Sequence, residues 1–155
     1  MDPAAWHPKI RQLHAHWRSI HPAPDRLPGR QHLDPLSIPA LLPNIWLVDV
    51  VRGPFRLRYR LVGTRIVDGL GADFTGQWFD EAHPDFGPAG RTYQDYLRVV
   101  EQKEVSWRRG KPIFMAYAEA CVEIERILLP LARDGQTVDM IIAITIFFDA
   151  AGQEK

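Results

Sequence analysis

Cysteine is almost missing from this chain: among 155 residues only Cys121 carries a thiol. One thiol closes no internal disulfide and builds no multi-thiolate metal site, which fits a reducing compartment. Long hydrophobic runs are missing too. The longest, Met140 to Phe148 interrupted by Thr145, is far short of the ~20 residues a membrane-spanning helix needs. There is no excess of either charge, because 19 basic and 19 acidic residues give a formal net charge of zero. No overall field therefore draws the chain toward nucleic acid or an anionic membrane. The start, with Asp2, Pro3 and His7, lacks the basic residues and apolar core of a secretory signal. These absences point to a cytoplasmic protein. What is present, 46% hydrophobic residues in 155, suits one domain with a real core.

Trp6, Ile10, Leu13, Trp17 and Ile20 recur at spacings of four, three, four and three, which places them on one face of a helix. Pro8 opens it and Pro22 and Pro24 forbid its continuation. Asp34 is placed to cap a short helical turn opened by Pro35 and closed by Pro43. Ile45 to Val51 and the alternating Phe55 to Leu61 form a hairpin, with Phe55, Leu57, Tyr59 and Leu61 on one face and Arg56, Arg58 and Arg60 on the other. A brief helix near Thr64–Leu70 and a turn at Asp73–Gly76 follow. Tyr93, Tyr96, Leu97 and Val100 mark a longer helix within Ala89 to Lys103. Strands are expected over Pro112 to Ala118, Cys121 to Leu131 and Val138 to Asp149, the last two joined by a turn at Asp134-Gly135.

This order argues for an α+β domain on one antiparallel five-stranded sheet. Ile45–Val51 and Met140–Phe148 barely alternate, so both of their faces must be covered. The short middle helices take one face and the N-terminal helix takes the other, lying on those two strands, from its own chain or exchanged from a partner. A short interchain coiled coil is the competing use of its stripe. The division is residues 1–24 for the amphipathic helix, 25–149 for the main domain and 150–155 for a tail.

Little dedicated chemistry is visible. His14, His16 and His21 lack the one-turn spacing of a helical metal pair and read as a solvated face. Neither a GxxxxGK loop nor a GxSxG elbow occurs. Glu119, Glu123 and Glu125 alternate as one solvent face does; Glu125 is the exception, expected to pair with Arg126 or Arg60 and fix register. Arg52, Arg56, Arg58, Arg60 and Arg65 form a basic strip for an anion or nucleic acid, with the C-terminal glutamates as its neutralising partners. Without interleaved aromatics, a nucleic-acid role is disfavoured.

An ordered set of segments carries a resemblance: Leu27-Pro28-Gly29-Arg30, Asp34-Pro35 with Ile38-Pro39 and Leu41-Leu42-Pro43, Tyr59-Arg60-Leu61-Val62-Gly63-Thr64, Gly71-Ala72-Asp73-Phe74-Thr75-Gly76, and Glu125 to Leu131. Over roughly residues 10–145 the chain resembles the bacterial family of stand-alone PAS-like proteins, PAS_5. The resemblance implies a PAS-like fold and a sensory or protein-interaction role in signalling, without a fixed ligand. Haem-binding relatives use a histidine from the middle helix, which has none here; photoadduct-forming flavin domains need a helical cysteine, and Cys121 starts a strand. No catalytic residue and no metal ligand is assigned, and the cofactor is unknown.

With no residues left for an effector, output is expected to pass through a protein partner or a dimer, using the N-terminal helix and the outer sheet face. A small-molecule ligand would lie between sheet and middle helices, lined by Leu57, Tyr59, Tyr93, Tyr96, Met115 and Tyr117; a dry aromatic core has the same composition. The rival is a small cone-fold enzyme or ligand-binding protein with an interior cavity, using Asp73, His83 or a tyrosine as acid or base.

Overall fold

The computed structural model describes residues 2–112 and 121–155. Helix α1 (Pro8–Ser19) begins where Pro8 has no N–H to lose, and the His7 ring accepts the Lys9 N–H across the first turn. Short 3₁₀ turns at Pro35–Ser37 and Pro39–Asn44 follow, the first capped by Asp34. Strands β1 (Ile45–Val51) and β2 (Arg56–Val62) lead to helices α2 (Thr64–Leu70), α3 (Phe79–Ala82) and α4 (Arg91–Gln102). Strands β3 (Ser106–Gly110), β4 (Glu123–Leu131) and β5 (Met140–Phe148) complete the order. Among the described residues the sheet is antiparallel with five strands in the order β2-β1-β5-β4-β3.

The five-stranded antiparallel α+β architecture is as expected, but the edge strand β3 precedes the segment proposed for it. The expected strand over 112–118 lies, apart from Pro112, outside the described residues. Ser106-Trp107-Arg108-Arg109-Gly110 escaped a periodicity reading because an edge strand with two arginines carries little apolar signal. The outer edge of β2 is covered: Tyr59 exchanges backbone hydrogen bonds with Gly76 and Gln77, and Arg58 bridges Trp78.

Leu57 and Tyr59 face inward and Arg58 and Arg60 outward, as the alternation requires. Leu61 does not follow. The β1–β2 register shifts between Leu47 and Val48, so Arg60 has no opposite partner and Leu61 turns toward solvent.

Two clusters flank the sheet. Outside, Ile10, Leu13 and Trp17 of α1, with Trp6, lie on Ile127, Leu129, Leu131, Ile142, Ile144 and Ile146. The helix rests on β4 and β5, with Ile45 and Leu47 of β1 at its margin; the expected floor of β1 and β5 is thus shifted by one strand. Trp17 Nε1 donates to the Pro130 carbonyl at 2.9 Å, while Ile20 is only half buried and ends the stripe. Within the single chain α1 lies on its own sheet and covers the outer face over β4 and β5. Inside, α2, α3 and α4 cover the second cluster. Helix α2 lies so near the sheet that a Cβ on Gly69 would meet Phe147 Cζ at 2.6 Å.

Candidate functional site

The inner cluster is aromatic. Trp46 of β1, Tyr59 of β2, Phe79 of α3, Phe86 of the loop before α4 and Tyr96 of α4 are all buried, with neighbouring ring centroids 4.8–6.2 Å apart. Helix α3 sets one side of it: Phe79 and His83 fall one turn apart on a single face, and the His83 N–H closes on the Phe79 carbonyl. This places the His83 ring against Phe79, Phe74 and Tyr59, with the Tyr59 hydroxyl and His83 Nε2 at 2.6 Å. Above, Trp46 Nε1 donates to Thr145 Oγ1 at 2.9 Å.

Burial pushes the His83 pKa down to about 4, so the imidazole is neutral at neutral pH. A neutral ring offers one donor and one acceptor. Burial also raises Tyr96 above the ordinary phenol range, leaving it protonated. An imidazole that weak is a poor general base at neutral pH and stands as a hydrogen-bond partner of the Tyr59 hydroxyl.

Of the residues expected to line a ligand, Leu57, Tyr59 and Tyr96 meet in this cluster. Tyr93 sits at its rim, edge-on to Phe55 and beside Phe86. Met115 and Tyr117 lie outside the described residues. Trp46, Phe79 and Phe86 were not foreseen; the helical pair Phe79 and His83 was the available signal, hidden in a segment too short to show periodicity. Asp73, the other acid–base candidate, accepts the Thr75 N–H and hydroxyl in a surface turn, which holds its carboxyl below the usual range.

A second constellation lies where α4 meets β3. Arg126 is buried and donates to the Ser106 carbonyl and hydroxyl and to Asp95 Oδ2 at 3.3 Å. Arg98 takes the other Asp95 oxygen at 3.2 Å. A cleft of about 540 Å³ and another of about 300 Å³ open here, and Arg91, Asp95 and Arg108 line both.

Glu125, the expected exception among the strand's glutamates, belongs to neither group and is ion-paired across the sheet, though with another arginine than expected. It is fully buried under the start of α1, accepts the His7 N–H at 2.9 Å and Trp107 Nε1 at 3.0 Å, and pairs with Arg109 at 3.4 Å. Its partner is the register neighbour on β3 rather than Arg126 or Arg60. Three arginines of the basic strip pair with acids other than Glu119, Glu123 and Glu125. Arg56 grips Asp80 with two bonds of 2.8 and 2.9 Å, Arg60 pairs with Asp49, and Arg65 reaches Glu154. Trp78 lies 4.0 Å beneath the Arg56 guanidinium.

A five-stranded antiparallel sheet in the order 2-1-5-4-3, with short helices on one face, is the PAS-like architecture, and the PAS_5 model, described as a PAS domain, matches residues 5–146. The chain belongs to this PAS domain family. No curated protein and no solved structure matches it. The matched PAS region includes α1 and stops two residues short of the end of β5.

Proposed function

We propose that this PAS domain is a sensory module of bacterial signalling that takes a small molecule on the inner face of its sheet and passes the change to a protein partner. The observation that carries the reading is the Tyr59–His83 pair, a neutral hydrogen-bonded couple set within an aromatic layer between sheet and helices. Burying such groups costs free energy that an all-apolar core would not spend, and a few placed polar groups among aromatics are what orient a ligand. No helix among the described residues is long and apolar enough to cross a membrane, and a cytoplasmic sensor is consistent with that. The enzyme reading has less support, because His83 faces a phenol and is too weakly basic for proton abstraction at neutral pH.

Mass spectrometry of the protein purified under native conditions tests the proposal. A bound small molecule, released by Tyr59→Phe or His83→Phe, is the expected result. A clean apoprotein mass, with no stabilisation by any member of a metabolite library, would overturn it.

A further inference from the structure

The junction of α4 and β3 carries more positive charge than the described residues around it neutralise. Across the β3–β4 ladder Arg108 stands directly opposite Arg126, a like-charge pair on the inner face. Asp95 is the carboxylate between them, and its two oxygens already bind Arg126 and Arg98. Among the described residues Arg108 has one bond, from Nη2 to the Lys111 carbonyl, while its Nη1 is buried with no acceptor. Arg91 makes no hydrogen bond or ion pair among the described residues. Asp85, on the wall of the smaller cleft, and Glu104, on the wall of the larger, are the other described carboxylates there. Among the described residues four guanidiniums thus face three carboxylates. Burial first, and then the Arg91 charge, pushes Arg108 below the ordinary arginine range, so Arg91 and Arg108 are near enough to repel.

A buried donor without an acceptor and an unpaired neighbour of the same charge are the features an arriving anion relieves. The walls say what else it carries. The cleft of about 300 Å³ is lined by Phe86, Tyr93 and Gly90 beside the two arginines, and Phe86 and Tyr93 are the rim of the aromatic layer. We infer that Arg91 and Arg108 bind the carboxylate of a small organic acid whose apolar body packs on Phe86 and Tyr93. This deepens the sensory reading by naming its ligand class. The planar guanidinium suits a carboxylate's two oxygens, and the ~300 Å³ volume is at the lower end for a small-molecule site.

Calorimetric titration with phenylacetate, its neutral isostere phenylacetamide, and acetate is the test. Phenylacetate should bind saturably, with the amide and acetate at least about tenfold weaker, the first lacking the charge and the second the apolar body. Arg91→Gln removes a guanidinium with no partner among the described residues, so it should lower phenylacetate affinity at least about tenfold with an unchanged melting temperature. Arg108→Gln should do the same while removing the repulsion with Arg126. Equal binding of acid and amide, full affinity in Arg91→Gln, or no phenylacetate binding up to about 10 mM would overturn the site. A neutral molecule co-purifying with both wild type and Arg91→Gln would overturn this inference and leave the interior reading standing; an empty protein that binds nothing would overturn both.

Discussion

On β4, consecutive residues Glu125 and Arg126 enter opposite sides of the sheet, and the two sides are matched differently. Outside, Glu125 meets donors from three segments, His7, Trp107 and Arg109, and around it Leu and Ile side chains lie under two indoles. Among the described residues there, the Trp6 indole N–H is buried without an acceptor. Inside, the wall is aromatic, Arg126 shares one aspartate with Arg98, and Arg108 keeps an unmatched donor. A face whose charges are satisfied by its own chain is a seal. A face with polar groups in surplus is where a ligand changes the energy.

Replacing Trp17 by Asp should break the seal hardest. The indole fills the space over β4 and β5 and donates to the Pro130 carbonyl, and a carboxylate there fills neither role. The loss should exceed the ~3–5 kcal/mol typical of truncating a buried tryptophan, because a charge is buried as well. Aggregation or a larger species in size-exclusion chromatography is the expected result. A soluble protein eluting and melting as wild type would show that α1 is dispensable.

Next is Glu125→Ala. It strands the His7 N–H and the Trp107 indole N–H, and takes from Arg109 one of its two carboxylates. Removing one member of a buried charge network costs about 3–5 kcal/mol, or roughly 6–20 °C in melting temperature for a domain this size. Urea unfolding should show that loss, and Glu125→Gln, which keeps an acceptor, should recover part of it. Equal losses for both would put the effect in packing rather than hydrogen bonding.

These two residues also show what the sequence disclosed. The Trp6–Ile10–Leu13–Trp17 stripe was legible because helical period and sheet cover are both written in apolar spacing, and α1 lies on the sheet accordingly. Glu125 and Arg126 were not, since a buried charge looks like a surface charge until the donors around it are known, and His7, Trp107 and Asp95 come from three separate segments. The neutralisation of Arg56 by Asp80 was hidden for the same reason: α3 is four residues long and places that carboxylate only after folding. Tyr59 was legible from β-alternation, while its His83 partner was not, because no period links a strand to so short a helix.

The inner face should show itself through pH. His83 titrates near 6.5 when unfolded but at about 4 in the fold, so between those values the unfolded chain binds the extra proton. The resulting stability is complete above pH 6.5 and is lost as pH falls toward 4. Between pH 7.5 and 4.5 this amounts to about 2.5 kcal/mol. Urea unfolding of wild type and His83→Gln at both pH values isolates it, because the carboxylates common to both cancel. Parallel losses in the two proteins would mean that His83 is protonated in the fold. Tyr59→Phe sharpens the same point at smaller scale, costing about 1 kcal/mol for the hydroxyl's hydrogen bond at pH 7.5.

The smallest effect concerns what holds the rim of the seal. Glu154, near the C-terminus, gathers Lys9 Nζ, His7 Nε2 at 3.1 Å and Arg65 Nη1 at 3.5 Å, tying the first turn of α1 to α2. The group is partly exposed, so Glu154→Gln should cost no more than about 1 kcal/mol and nothing measurable in about 1 M salt. Hydrogen exchange places the effect: the first-turn amides of α1 should exchange faster while those near Trp17 keep their protection, because that end is held by apolar burial and the bond to Pro130. Loss of protection along the whole helix would reverse the comparison, since the outer face would then depend on its charged rim more than on its indoles.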